Sequence, residues 1–85
     1  MPRVARLGDR GSHGGAIITA SPDVTADGIA VARVGDIYAC PIHGPNPIVT
    51  GSATVFANAS NVARLGDLTE CGAAIITASP DVLAG

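Results

Sequence analysis

The sequence contains no tryptophan and no lysine, and only one tyrosine (Tyr38) and one phenylalanine (Phe56) in 85 residues. Without large rings, a core must be assembled from Ala, Val and Ile, which bury little area each. A domain this short ordinarily needs a staple as well: a disulfide, a metal or a partner. The missing lysines and a net charge of −2 exclude the basic surface that supplies most nucleic-acid affinity. They equally exclude an electrostatic membrane anchor. No apolar run approaches the roughly 20 residues that span a bilayer. No long apolar segment follows Met1-Pro2-Arg3-Val4-Ala5-Arg6, so no signal peptide is expected and assembly in the cytoplasm is. Helix signals are absent too, because Gly and Pro interrupt every window before a helical period is established.

What is present is repetition. Residues 4–9 read VARLGD, residues 31–36 read VARVGD and residues 62–67 read VARLGD. Residues 3–24 match residues 61–82 at a constant offset of 58, including GAIITASPDV against AAIITASPDV. The middle copy carries an insertion, Pro41-Ile42-His43-Gly44, and then resumes, Ile48 to Val55 aligning with Ile17 to Val24. A period near about 30 residues marks a unit that cannot bury its apolar face alone. Three units are too few for a long solenoid, so closure around an axis is the expected solution. One domain spanning 1–85 follows, with repeats at approximately 2–27, 28–58 and 59–85 and no fused effector domain.

The chain starts and stops out of phase with its own unit. Copy three ends at Val82-Leu83-Ala84-Gly85, where the other copies turn and run into the next VAR segment; the missing continuation is Met1-Pro2-Arg3-Val4. The last hairpin is therefore expected to be split between the two ends, closing the ring and covering an open edge. Runs between the breakers are short and β-branched: Ala16–Thr19, Ile29–Ala32, Pro47–Thr50, Val55–Ala57 and Ala74–Thr77. They fit strands of about four to six residues. Asp27-Gly28 favours a tight hairpin turn, with Asn58 in the same role in copy two. Ser21-Pro22-Asp23 and Ser79-Pro80-Asp81 read as bends. The expected fold is all-β, a small cone or prism of three hairpin repeats.

Arg6, Arg33 and Arg64 each precede an aspartate (Asp9, Asp36, Asp67) by three residues. Three copies of one acid–base pair do not make a catalytic centre, which needs convergent groups in distinct roles. The aspartates are expected to accept hydrogen bonds in the following turn, and any ion pairs, if exposed, to contribute only about 0–1 kcal/mol.

Four residues past each aspartate stand His13, Cys40 and Cys71, and the insertion adds His43. These are all the His and Cys of the chain. Three equivalent ligands can meet on a three-fold axis and a fourth can close a tetrahedron, the arrangement zinc prefers with sulfur and nitrogen donors. A structural zinc, one per chain, on His13, Cys40, His43 and Cys71 would tie all three repeats together. A Cys40–Cys71 disulfide would also staple the fold, but it leaves His43 unexplained. A zinc hydrolase would keep one coordination position open for water. Here four ligands are at hand, and Glu70, the only glutamate, would be the sole candidate base. No catalytic residues and no small-molecule substrate are expected.

The VAR-x-GD segments, His13-Gly14-Gly15, Cys40-Pro41-Ile42-His43-Gly44, Gly51-Ser52 and Cys71-Gly72 together resemble the PAAR-repeat proteins over essentially the whole chain. Arg3-Val4-Ala5-Arg6 and Ala30-Val31-Ala32-Arg33 stand where that family's Pro-Ala-Ala-Arg would be. The family's zinc is often held by three His and one Cys; Cys71 makes the set two and two. The resemblance implies a conical tip on the spike of a contractile injection machine, a type VI secretion system or a phage tail. Its partner would be a trimeric β-helical spike, VgrG or the phage central spike, with one tip per trimer. The metal would sit near the apex, with the Pro41–Pro47 loop at the point. The tip would contact the target membrane transiently and leave the cell with the spike, or belong to a virion tail; an effector could dock non-covalently. The competing expectation is a stand-alone zinc-stapled β domain that acts as a protein-binding adaptor.

Overall fold

The computed structural model describes residues 2–85. Its seven strands are β1 (Ala16–Ile17), β2 (Thr25–Ala26), β3 (Ile29–Ala30), β4 (Ile37–Cys40), β5 (Gly44–Pro47), β6 (Phe56–Ala57) and β7 (Ser60–Asn61). There is no helix among the described residues. β2 pairs with β3 and β6 with β7, each antiparallel. The turns between them are Asp27-Gly28, with φ of 54° and 76°, and Asn58-Ala59, with φ of 53° and 64°. Positive φ at both central positions matches the right-handed twist of the flanking strands, which is why Asp-Gly and Asn stand there.

The third arm is assembled from the two ends of the chain, as its phase requires. Arg3 and Leu83 form an antiparallel bridge. The Val4 N–H donates to Val82 O at 2.8 Å and the Ala84 N–H to Pro2 O at 2.9 Å. Leu83 occupies the place that Thr25 and Phe56 take in the other arms.

Around the axis the backbone closes a triangle. Ala5 donates to Ala63 O, Ala63 to Ala32 O and Ala32 to Ala5 O, each at 2.9 Å. Three backbone segments meeting this closely leave room for a methyl group only, and all three alanines are fully buried. Ile17, Ile48 and Ile75 pack in the same layer. A neighbouring layer holds Val4, Val31 and Val62 with Ala26, Ala57 and Ala84. Each buried Val or Ile contributes roughly 1.5–3 kcal/mol. These two layers need no aromatic ring, because the three-fold arrangement packs small side chains densely.

The third layer breaks the symmetry. Its equivalent positions are Gly11, Tyr38 and Thr69, bridged in turn to Ile75, Ile17 and Ile48. Tyr38 is fully buried, and a Cβ built on Gly11 would lie 2.4 Å from its ring. One aromatic thus fills a space shared by all three repeats, and the bare backbone of Gly11 is what admits it. The Tyr38 hydroxyl accepts a hydrogen bond from Gly15 N at 3.0 Å.

The aspartates accept hydrogen bonds from the turn that precedes them and not from the one that follows. Asp9, Asp36 and Asp67 are buried. One oxygen of each accepts the backbone N–H of the arginine three residues earlier at 2.7–2.8 Å. The same oxygen faces that arginine's Nε at 3.4, 2.9 and 3.0 Å. The other oxygen accepts a threonine hydroxyl from the preceding repeat: Thr77 to Asp9 at 2.8 Å, Thr19 to Asp36 and Thr50 to Asp67 at 2.9 Å. Each threonine in turn accepts a backbone N–H from Arg10, Ile37 or Leu68. Hydrogen bonds to charged groups contribute about 1.5–3 kcal/mol, so this relay outweighs surface ion pairs.

The strands are also shorter than the four to six residues expected. Strand partners change within two residues as the chain passes around the axis, so much of the pairing consists of single bridges. The exception is the β4–β5 hairpin, four residues on each side, built on the insertion of copy two. The segment from Gly44 to Pro47 is therefore a strand and not a loop. In the order β1-β4-β5 it is an edge, where Pro45 and Pro47 are tolerated because they leave no central ladder bond unmade.

Candidate metal centre

His13 and Cys71 occupy equivalent tight turns. Gly14 N donates to Gly11 O at 3.0 Å, and Gly72 N to Thr69 O at 2.9 Å. Each ligand is followed by a glycine at positive φ, Gly14 at 98° and Gly72 at 89°, a backbone state that glycine enters without a Cβ clash. In copy two the insertion widens the turn. Cys40 ends β4, Gly44 starts β5 opposite it, and Pro41-Ile42-His43 bridges the two. The His43 N–H donates to Cys40 Sγ at 3.4 Å, folding the fourth side chain back over the third.

The structure gathers all four residues that the sequence nominates. Their donor atoms lie within 4.8 Å of one another. Cys40 Sγ is 3.5 Å from His13 Nδ1 and 3.4 Å from His43 Nδ1, and Cys71 Sγ is 3.6 Å from His13 Nδ1. With Zn–S of about 2.3 Å and Zn–N of about 2.0–2.1 Å, a tetrahedron has S···N edges of about 3.6 Å. The three S···N distances match such an ion. Both cysteines are free thiols, so the disulfide alternative is not what this structure contains. Glu70 is exposed and is not among the donors.

Supporting residues surround the cluster. Thr69 Oγ1 lies 3.2 Å from Cys71 Sγ, and Asn46 Oδ1 accepts the Cys71 N–H at 3.0 Å. That last bond joins the β5 edge to the Cys71 turn, and the Asn46 amide is held in place by donating to Gly44 O within β5 at 3.0 Å. The Thr69 hydroxyl is the largest influence on the Cys71 thiol; burial opposes it, and the Ala73 backbone, His13 and Asn46 reinforce it, bringing the thiol down to about 6. The shift favours the thiolate, the form that binds metal. Tyr38, Cys40 and Ala73 pack together directly beneath, with Cys71 against them.

Sequence reasoning passed over Tyr38, Asn46, Thr69 and the three threonines. The aligned copies did carry a signal for one of them: positions 11, 38 and 69 read Gly, Tyr and Thr, a large mismatch in size within the repeat. Thr19, Thr50 and Thr77 recur at one position of the repeat, but their carboxylate partners lie in a different copy.

Cys40 is buried, His13 and Cys71 are half-buried and His43 is exposed. The cluster thus sits at the surface, two core layers away from the Val4, Val31 and Val62 layer. No curated protein matches the chain at a significant level. The family model for the PAAR motif matches residues 7–77. That span takes in the three repeated aspartates and all four donors, and the chain belongs to the PAAR-motif family.

Proposed function

We propose that this protein is the tip of a contractile injection spike. It caps a trimeric β-helical protein of the VgrG type and is held rigid by one structural zinc. The observation that carries this reading is the closed backbone triangle of Ala5, Ala32 and Ala63, together with membership of a family whose members are usually spike tips. A single chain with three equivalent arms can present near-identical surfaces to three identical subunits, and a closed interface requires that match of symmetry.

The docking face is the end farthest from the donor cluster. Thr25, Phe56 and Leu83, the equivalent position of each arm, are exposed next to the buried Ala26, Ala57 and Ala84. Apolar area covered at that face would contribute roughly 25 cal/mol per Å² before association costs are subtracted. The zinc end then points outward. An ion with four protein ligands has no open position for substrate or water; what it supplies is rigidity, since His13 belongs to the first repeat, Cys40 and His43 to the second, and Cys71 to the third. The tip would be assembled in the cytoplasm and carried out with the spike, in a secretion system or a phage tail, and would meet the target membrane briefly.

The test is stoichiometry. Mixed with a trimeric β-helical spike and examined by native mass spectrometry, the protein is expected to bind as one chain per trimer. Three chains per trimer, or no binding to any contractile-system spike, would contradict the proposal and favour an adaptor role.

A further inference from the structure

The two sulfur donors come from different repeats, Cys40 from the end of β4 and Cys71 from the turn after Leu68. Both approach one nitrogen, His13 Nδ1, at 3.5 and 3.6 Å, and their own sulfurs lie within 4.8 Å of each other. A disulfide requires about 2.05 Å. The gap is short, and Cys71 stands in a half-exposed turn beside Gly72. Cys40 is buried, so an oxidant from solvent reaches Cys71 first. A third His in place of Cys71 would hold a metal equally well and could not form this bond.

We infer that Cys40 and Cys71 are a redox-modification site, at which a peroxide converts the two metal ligands into a disulfide and releases the ion. This rests on the metal-centre reading and not on the spike. The Cys71 thiolate attacks one peroxide oxygen; the O–O bond breaks, hydroxide departs and Cys71 becomes a sulfenic acid. The Cys40 thiolate then attacks that sulfur, the S–S bond forms and a second hydroxide leaves. Two electrons pass from the two sulfurs to one hydrogen peroxide, so the step balances without another reactant. His13 and His43 alone are too few donors to keep the zinc. The new bond still joins the second and third repeats, so the apex exchanges one staple for another.

The experiment treats zinc-loaded protein with hydrogen peroxide, follows released zinc with a chromophoric chelator and maps the thiols by mass spectrometry. One zinc is expected to leave per disulfide, in a monomer about 2 Da lighter than the reduced chain and carrying a Cys40–Cys71 cross-link. Thiol reductant with added zinc is expected to restore the starting species. The variant Cys71→His keeps four donors and is expected to retain its zinc through the same treatment. Sulfinic acids without a cross-link, disulfides between chains, or zinc lost equally fast from Cys71→His would overturn the inference. Protein that never binds zinc would instead defeat the metal reading itself, and the cross-link map would then report on the thiols alone.

Discussion

The Thr77 hydroxyl donates to the Asp9 carboxylate at 2.8 Å, joining the last repeat to the first. It is the same bond that Thr19 makes to Asp36 and Thr50 to Asp67 within the continuous part of the chain. If the ring is closed in solution, Thr77→Val should cost as much stability as Thr50→Val. About 1.5–3 kcal/mol each is expected for a lost hydrogen bond to a charged acceptor. Urea unfolding of the two variants measures both. A negligible loss for Thr77→Val beside a full loss for Thr50→Val would mean that the ends are not docked.

The Asp36 relay predicts a pH dependence with a definite sign. Burial works to raise the Asp36 pKa. Hydrogen bonds from the Arg33 side chain, Thr19 and the Arg33 backbone outweigh it, with the Arg33 charge adding, and the net result is a lowered value. A group with a depressed folded-state pKa stabilises the fold above its unfolded value and loses that contribution as pH falls through the folded one. Stability should therefore decline in the acid range below the usual carboxylate value of 3.8. Asp36→Asn should be less stable at pH 7 and show a shallower decline in acid. A variant that reproduced the wild-type acid profile would exclude Asp36 as a source of it.

Gly11 and Tyr38 form a size-complementary pair. With a Cβ only 2.4 Å from the ring, Gly11→Ala should destabilise by about 1–3 kcal/mol through overpacking. Tyr38→Ala should cost about 3–5 kcal/mol through the cavity it leaves. In the Tyr38→Ala background the methyl added by Gly11→Ala has space, so the two losses should fall short of additive by an amount a double-mutant cycle resolves. Strict additivity would mean that Gly11→Ala is strained by the backbone and not by the ring.

How much of this was legible in the sequence depended on whether a feature repeats in register. His13, Cys40 and Cys71 share one position of the repeat, and His43 stands in the only insertion, so the donors could be named before their geometry was known. The split hairpin was legible because Leu83 and Arg3 fall out of phase with the unit. The burial of Asp9, Asp36 and Asp67 was not, because their second partners are threonines from the neighbouring copy, and sequence spacing within a copy says nothing of that. Strand length was misjudged for a related reason: Ala16–Thr19 and its equivalents have β-branched composition, but partners that change every two residues cut the ladders short. Tyr38 was overlooked because its value lies in Gly11, a residue of another copy that makes room for it.

One chain imitates a triangle, and four donors from all three of its sides gather at one vertex, where a metal would pin it. X-ray absorption at the zinc edge of the purified protein tests this most directly. The expected spectrum has two sulfur neighbours at about 2.3 Å and two nitrogens at about 2.0–2.1 Å, with one zinc per chain, and His43→Ala should lose one of the nitrogens. A shell of oxygens only, or a single sulfur, would contradict a vertex built from His13, Cys40, His43 and Cys71.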